Sequence, residues 1–309
     1  MCYNDSIKMI IRGDDMSELS EKEFLEQYDS SIYEKPSVTV DTLLFTIMNE
    51  KVDNYRKLDE KKLSILLVKR KGHPFKDRWA IPGGFVNISE SLDDACKREL
   101  KEETNVDNVY LEQLYTYGEV NRDPRMRVIS SAYLALIDSS KLKVKAGDDA
   151  SDARWFSIDY KLISQTKNNE ENKIIKTYKL ILKHEDIVLN NEVEYTYFYK
   201  NKNVEKSMKV LKSEVAFDHA KIISYGIERL RNKIEYTDIA FNLMEEYFTL
   251  SELQQVYEII LGKELLKANF RRKINPYVVE TNKYSDKKGG YRPSKLFKYS
   301  FESLERGEY

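Results

Sequence analysis

Cysteine is nearly missing: Cys2 and Cys96 are the only two in 309 residues, too few for a disulfide framework, so a reducing compartment is expected. Histidine is scarce as well. His73, His184 and His219 show no metal-ligand spacing and read as surface or capping residues. Nowhere do eighteen apolar residues run together, and the opening MCYNDSIKMIIRGDD lacks a long apolar core. Both absences argue against membrane insertion and export and for a cytoplasmic protein. No tandem repeat is evident, which excludes a solenoid, and no low-complexity block is long enough for a disordered arm. The net charge of −1 shows no global excess of either sign. Attraction to a polyanion must therefore come from a local patch.

The length suits two units rather than one compact domain. SELSEKEFLEQYDSSI reads as a short amphipathic helix ending before Pro36. SVTVDTLLFTIM and KLSILLVKR read as buried strands, NVYLEQLYTYGEV and MRVISSAYLALI as further strands, and ARWFSI as the strand that closes the sheet. The polar QTKNNEENKIIK reads as a surface connection, and EYTYFYKNKNVEKSMKVLK as an exposed hairpin.

The stretch GFVNISESLDDACKRELKEETNV, Gly84 to Val106, carries the strongest chemical signal. From Ser91 to Thr104 it reads as a helix, with Ser91 as N-cap and Asp93 and Asp94 in the first turn. Glu99 precedes Glu102 by three residues and Glu103 by four, so the three carboxylates share one face. Arg98, four residues before Glu102, is placed to hold that carboxylate. Leu92, Ala95, Cys96 and Leu100 face roughly the other way, toward a sheet. Upstream, Gly83 and Gly84 let the backbone approach a ligand closely. Converging carboxylates beside a glycine bend suit Mg²⁺-assisted cleavage of a phosphoanhydride, where the cation neutralises phosphate charge and activates water. The bland alternative is a solvated acidic helix face.

At these residues the sequence resembles the Nudix hydrolase family, whose box runs G-x5-E-x7-R-E-U-x-E-E-x-G-U, U being a bulky aliphatic residue. Gly84, Glu90, Arg98, Glu99, Leu100, Glu102, Glu103 and Val106 fill it. Asn105 replaces the last glycine, where a left-handed residue ending the helix is expected and Asn is tolerated. The resemblance implies an α/β/α sandwich, catalytic roles for Glu99, Glu102, Glu103 and Arg98, and Mg²⁺ (or Mn²⁺) held by Glu99, Glu102, Glu103 and Gly83. Glu103, Glu119 and Asp148 all remain open as the general base. The segment NRDPRMRV resembles one in Nudix proteins that handle ADP-ribose, which makes Arg122, Arg125, Arg127 and Gly84 the expected substrate contacts. A charged hairpin turn explains that segment equally well. Phe75 and Trp79 read as core rather than base-stacking residues.

The C-terminal part is organised differently. HAKIISYGIERLRNKI, opened by the cap-type Asp218, a short helix around DIAFNLM, the Thr249/Glu252 capping box before LSELQQVYEIILG, the Gly262 break and KELLKANFRRKI give a helix-turn-helix. YVVETNKYSDKKGGYRPSKLFKYS follows as a two-stranded wing. Between Lys263 and Lys298 eleven Lys or Arg stand against three acidic residues, the footprint of a polyanion site. Asn269, Arg271, Arg272 and Lys273 on the presumed recognition helix, with Lys287, Lys288 and Arg292 in the wing, are the expected contacts to double-stranded DNA.

This half is similar to the winged helix of Nudix-related transcriptional regulators, which sense ADP-ribose or a related NAD metabolite and commonly work as dimers. The expected architecture is thus α/β: an N-terminal helical extension over 1–35, a Nudix α/β/α sandwich over 36–215 and a C-terminal winged helix-turn-helix domain over 216–309. The leading expectation is a hydrolase of ADP-ribose or a related nucleoside diphosphate compound, fused to a DNA-binding domain. The alternative is a homodimeric, ADP-ribose-responsive regulator of NAD metabolism with little or no turnover.

Overall fold

The structure is a computed structural model and describes residues 19–50, 60–106, 109–141, 150–200, 203–285 and 293–300. The chain divides into two compact units, Met1–Pro36 and Ser37–Tyr309. In the first, helix α1 (Glu21–Gln27) opens with a capping box between Ser20 and Glu23. A single 3-10 turn over Ser30–Ile32 follows, with Asp29 accepting the N–H of Ser31. No residue of α1 is buried and Phe24 alone is half-buried, so the expected amphipathic helix is short and largely exposed.

The second unit is built on one sheet. Its strands are β1 (Ser37–Glu50), β2 (Glu60–Arg70), β3 (Trp79–Ala80), β4 (Gly83–Phe85), β5 (Tyr110–Tyr117), β6 (Val128–Leu136), β7 (Ala150–Asn168), β8 (Lys173–His184), β9 (Ile187–Lys200) and β10 (Asn203–Lys212). They are ordered β10-β9-β8-β7-β2-β1-β6-β5, with β3 paired to β2 and β4 to β1. The β1–β6 pair is parallel; every other pair in this sheet is antiparallel.

Two expectations are corrected here. ARWFSI does not close the sheet: β7 runs on to Asn168, and β8, β9 and β10 continue beyond it. The polar stretch after it is strand on either side of a turn, not a surface connection. Residues 161–168 are exposed, so no apolar alternation marks them as strand, and the pairing with β8 alone keeps them extended.

Period-two alternation puts the two faces of β1 against different helices. Val40, Thr42 and Leu44 face helix α2 (Leu92–Thr104), where Val40 clusters with Ala95 and Cys96, Leu44 with Leu100, and Thr42 Oγ1 lies 2.9 Å from Cys96 Sγ. Leu43 and Phe45 face helix α3 (His219–Lys233). Gly226 brings α3 down onto the strand, since a Cβ there would overlap Leu43 Cδ1. Trp79 is buried in this core, as expected, while half-buried Phe75 packs on Phe217.

The same apolar cluster continues from α3 into helix α4 (Leu250–Leu261) and helix α5 (Lys267–Ile274) through Leu253, Val256, Ile260, Phe270 and Ile274. Each fully buried aliphatic side chain contributes about 1.5–3 kcal/mol. The sheet and the helices after residue 216 are therefore tied by one core. Thr249 and Glu252 form the expected capping box, and Gly262 ends α4 at φ 67°. The DIAFNLM segment is a 3-10 turn over Ile239–Leu243. Strands β11 (Val278–Tyr284) and β12 (Lys295–Tyr299) pair as the wing, and β12 bridges back from Phe297 to Phe248. Among the described residues no helix is long and apolar enough to cross a membrane.

Candidate active site

A cleft of roughly 610 Å³ opens at the end of the sheet where β3 and β4 lie against β2 and β1. One wall is α2. Ser91 caps it by accepting the N–H of Asp94, Tyr133 of β6 donates to Asp93 in its first turn, and Asn105 closes it in the left-handed conformation at φ 57°. The departure from glycine at that position leaves the helix end intact.

Arg98 organises this wall. Its guanidinium donates to both oxygens of Glu90 (2.9 and 2.6 Å), to Glu99 Oε1 (2.7 Å), to Glu102 Oε2 (3.1 Å) and to the Phe85 carbonyl (3.1 Å). Hydrogen bonds from Arg98 and from the Asn87 backbone hold the Glu90 carboxyl down to about 2. Burial pushes Glu99 above its ordinary range, with Arg98 working against it. Gly84 stands opposite, where a Cβ would overlap the Glu99 carboxylate, and Gly83 lies on Asp41, where a Cβ would overlap the Val40 carbonyl.

Arg98 takes one oxygen of Glu99 and one of Glu102. The second oxygen of each makes no hydrogen bond among the described residues, and Glu99 lines the cleft. Hard carboxylate oxygens next to a backbone without side chains, at Gly83 and Gly84, fit a divalent cation such as Mg²⁺. Among the described residues no three His, Cys, Asp or Glu side chains converge tightly enough to hold an ion unaided. The side chain of Glu103 lies outside the described residues, as do Asp148, Lys287, Lys288 and Arg292.

The opposite wall is the NRDPR loop. Arg122 and Arg125 line the cleft, whereas Arg127 does not and donates to the Glu119 carbonyl. Arg125 binds Asp123 through Nη2 at 2.8 Å. The Arg122 side chain is buried and forks onto Asp218 (Nε to Oδ2 3.1 Å, Nη2 to Oδ1 2.8 Å), with Asp41 Oδ2 at 3.5 Å. Glu119 is paired with Lys221 and does not line the cleft; burial alone would raise its carboxyl, but Lys221 and Arg122 outweigh it and hold it below its ordinary value.

His219 is a correction. It is neither exposed nor a cap: its Nδ1 accepts the N–H of Ile81 at 2.9 Å, and its Nε2 lies 3.7 Å from Asp41. Burial pushes its basicity down, so the ring is neutral with its proton on Nε2. Asp218 likewise makes no capping hydrogen bond, because Arg122 engages its carboxylate. The sequence signal for this group was Asp41, a charge in the middle of the apolar run SVTVDTLLFTIM. His184 is half-buried, with Nδ1 on the Trp155 carbonyl.

On α5, Asn269, Arg271, Arg272 and Lys273 are exposed while Phe270 and Ile274 anchor the helix. Lys273 is also used internally, donating to the Glu235 carbonyl at 2.9 Å and lying over the Tyr257 ring.

Comparison with known proteins agrees in both halves. The family described as NUDIX domain matches residues 52–178, and the family described as NrtR DNA-binding winged helix domain matches residues 240–299. The ADPR responsive transcriptional repressor NtrR of Acinetobacter baylyi is 32% identical over 93% of this chain and 91% of its own. The chain belongs to the Nudix-related transcriptional regulators. A MutT/nudix family protein from Enterococcus faecalis has a similar structure, with a TM-score of 0.64 and 30% identity over 97% of this chain and 100% of that one. NrtR of Shewanella oneidensis, solved with a 27mer DNA, gives 0.57 and 27% over 87% and 95%. An ADP-ribose pyrophosphatase of Methanocaldococcus jannaschii is 37% identical, over 48% of this chain and 75% of its own. The fold is thus that of a Nudix-related regulator, a Nudix domain carrying a C-terminal winged helix, and Nudix hydrolases generally use divalent metals.

Proposed function

We propose that this protein is a DNA-binding regulator whose Nudix cleft takes up ADP-ribose. The observation that carries the reading is that α5, with Arg271 and Arg272 exposed, is seated on the same apolar core as the sheet that holds the cleft. A ligand held between α2 and the Arg122 loop therefore acts on the body that presents α5. A relative matched over 93% of this chain is named a repressor, whereas the named pyrophosphatase matches 48% of it, so hydrolysis is the second reading.

Hydrolysis keeps its place through one observation: Glu99 and Glu102 each leave an oxygen clear of Arg98. Glu99, Glu102 and the Gly83 carbonyl, with Glu103, would hold Mg²⁺, which when bound supplies charge neutralisation and a more acidic water. Arg98 keeps the carboxylates in register, and Gly84, which lines the cleft, leaves room for the Glu99 carboxylate. Substrate contacts fall to Arg122 and Arg125. A regulator of this build is expected to act as a homodimer on paired half-sites.

Titrating a labelled DNA duplex with the full chain, with and without ADP-ribose, tests the first reading: ligand-independent affinity, or no salt-sensitive binding at all, removes it. Release of AMP from ADP-ribose with Mg²⁺, greatly slowed in Glu102→Gln, tests the second, and no release above background removes that one.

A further inference from the structure

The residues that open α3 belong to the cleft. Phe217 and His219 line it, and Asp218 between them holds Arg122. With its carboxylate engaged there, Asp218 gives α3 no side-chain cap. Phe217 sits at φ 49°, a conformation costly for an aromatic residue, and is gripped by the Arg70 guanidinium 4.9 Å above its ring and by Phe75 at 4.7 Å. Side chains of the cleft, rather than a cap of its own, fix the start of this helix.

The opposite end of α3 holds the winged helix. Arg231 Nε donates to the Ile260 carbonyl of α4 at 3.0 Å, and Lys273 of α5 reaches the Glu235 carbonyl just past α3. A shift of α3 along or across the sheet is therefore passed to α4 and α5 through direct bonds and shared core.

The arginines beside the Glu99 wall are already paired, Arg98 with three glutamates, Arg125 with Asp123 and Arg122 with Asp218. A diphosphate entering the cleft competes with carboxylates for these guanidinium groups. The pairs differ in what they release. Arg98 and Arg125 hold partners within their own loop and helix, whereas Arg122, besides a longer contact to Asp41 at 3.5 Å, holds Asp218, 96 residues away at the head of α3.

We propose that the Arg122–Asp218 pair is a latch: an anionic ligand in the cleft draws Arg122 off Asp218, frees the first turn of α3 and shifts the seating of α4 and α5. The proposal rests on reading the cleft as a diphosphate site. A ligand that favours the open pair must bind more tightly when the pair is already broken.

The test is hydrogen exchange on the full chain, with ADP-ribose and inorganic pyrophosphate as probes and calorimetric titration alongside. Bound probe is expected to speed exchange at residues 221–226 and in α4. Asp218→Asn is expected to show that fast exchange without probe and to bind ADP-ribose at least about fivefold more tightly. Binding with unchanged or slower exchange at 221–226 overturns the latch and leaves the cleft reading standing. Absence of binding by either probe overturns both. Should Asp218→Asn fail to fold, Arg122→Lys, which keeps the charge and loses the paired donors, must show the fast exchange without probe; unchanged exchange overturns the latch.

Discussion

Gly84 on β4 and Glu99 on α2 face each other with no space for a side chain between them, because any Cβ at 84 would fall on the Glu99 carboxylate. The glycine therefore fixes where Glu99 can sit, and Arg98 fixes it from the other side. Gly84→Ala is expected to leave the secondary structure unchanged by circular dichroism and to weaken Mn²⁺ or Mg²⁺ binding by about 10–100-fold, the range for losing a group that orients a ligand. Unchanged metal affinity would show that Glu99 is not a ligand.

Arg98 joins Glu90, Glu99 and Glu102, and without it three carboxylates repel across one turn of α2 and the β4 loop. Arg98→Ala is expected to lower the urea midpoint at neutral pH, and saturating Mg²⁺ to restore part of the loss by binding the folded state. The pH dependence follows from Glu90, whose carboxyl is held down to about 2. A depressed carboxyl contributes stability above its ordinary range and loses it as pH falls toward the folded value. The gap between wild type and Arg98→Ala should accordingly narrow between about pH 4.5 and pH 2. A gap independent of pH would mean that Arg98 stabilises by packing alone.

Much of this wall was legible in the sequence because its logic is local. Ser91, Arg98, Glu99, Glu102 and Asn105 lie within fifteen consecutive residues, and helical spacing decides which of them meet. The Thr249/Glu252 box and Gly262 were legible for the same reason. Of the opposite wall, the loop carrying Arg122 and Arg125 was legible but the contacts behind it were not. Arg122, Asp218, His219 and Asp41 come from three distant segments, and each alone looks like a loop arginine, a cap, a surface histidine or a stray charge. The far part of β7 was hidden too, since residues 161–168 are exposed on both faces and carry no alternation.

Cys96 sits inside this machinery, buried under α2 against Thr42, and burial pushes its thiol up to about 11. The group stays protonated through the neutral range. Its contribution to stability is present below the unfolded cysteine value and is lost only as pH rises through about 11. Peptide mapping after iodoacetamide treatment at pH 7.5 should find Cys96 unmodified in the folded protein and fully modified in denaturant. Rapid native modification would contradict the packing of α2 on β1.

The four residues of α5 expected to meet DNA divide in two. Arg271 and Arg272 extend into solvent, with Arg272 only loosely joined to Asn269 at 3.4 Å, whereas Lys273 bonds the Glu235 carbonyl and lies over Tyr257. Burial lowers the Lys273 ammonium from its ordinary value, in keeping with a side chain used inside the protein. Arg271→Ala and Arg272→Ala should each weaken duplex binding and reduce the slope of log affinity against log salt by about one, with the urea midpoint unchanged. Lys273→Ala should do the reverse, lowering the urea midpoint with little change in the salt slope. Equal salt effects for all three would place Lys273 at the phosphate backbone and make its bond to Glu235 incidental.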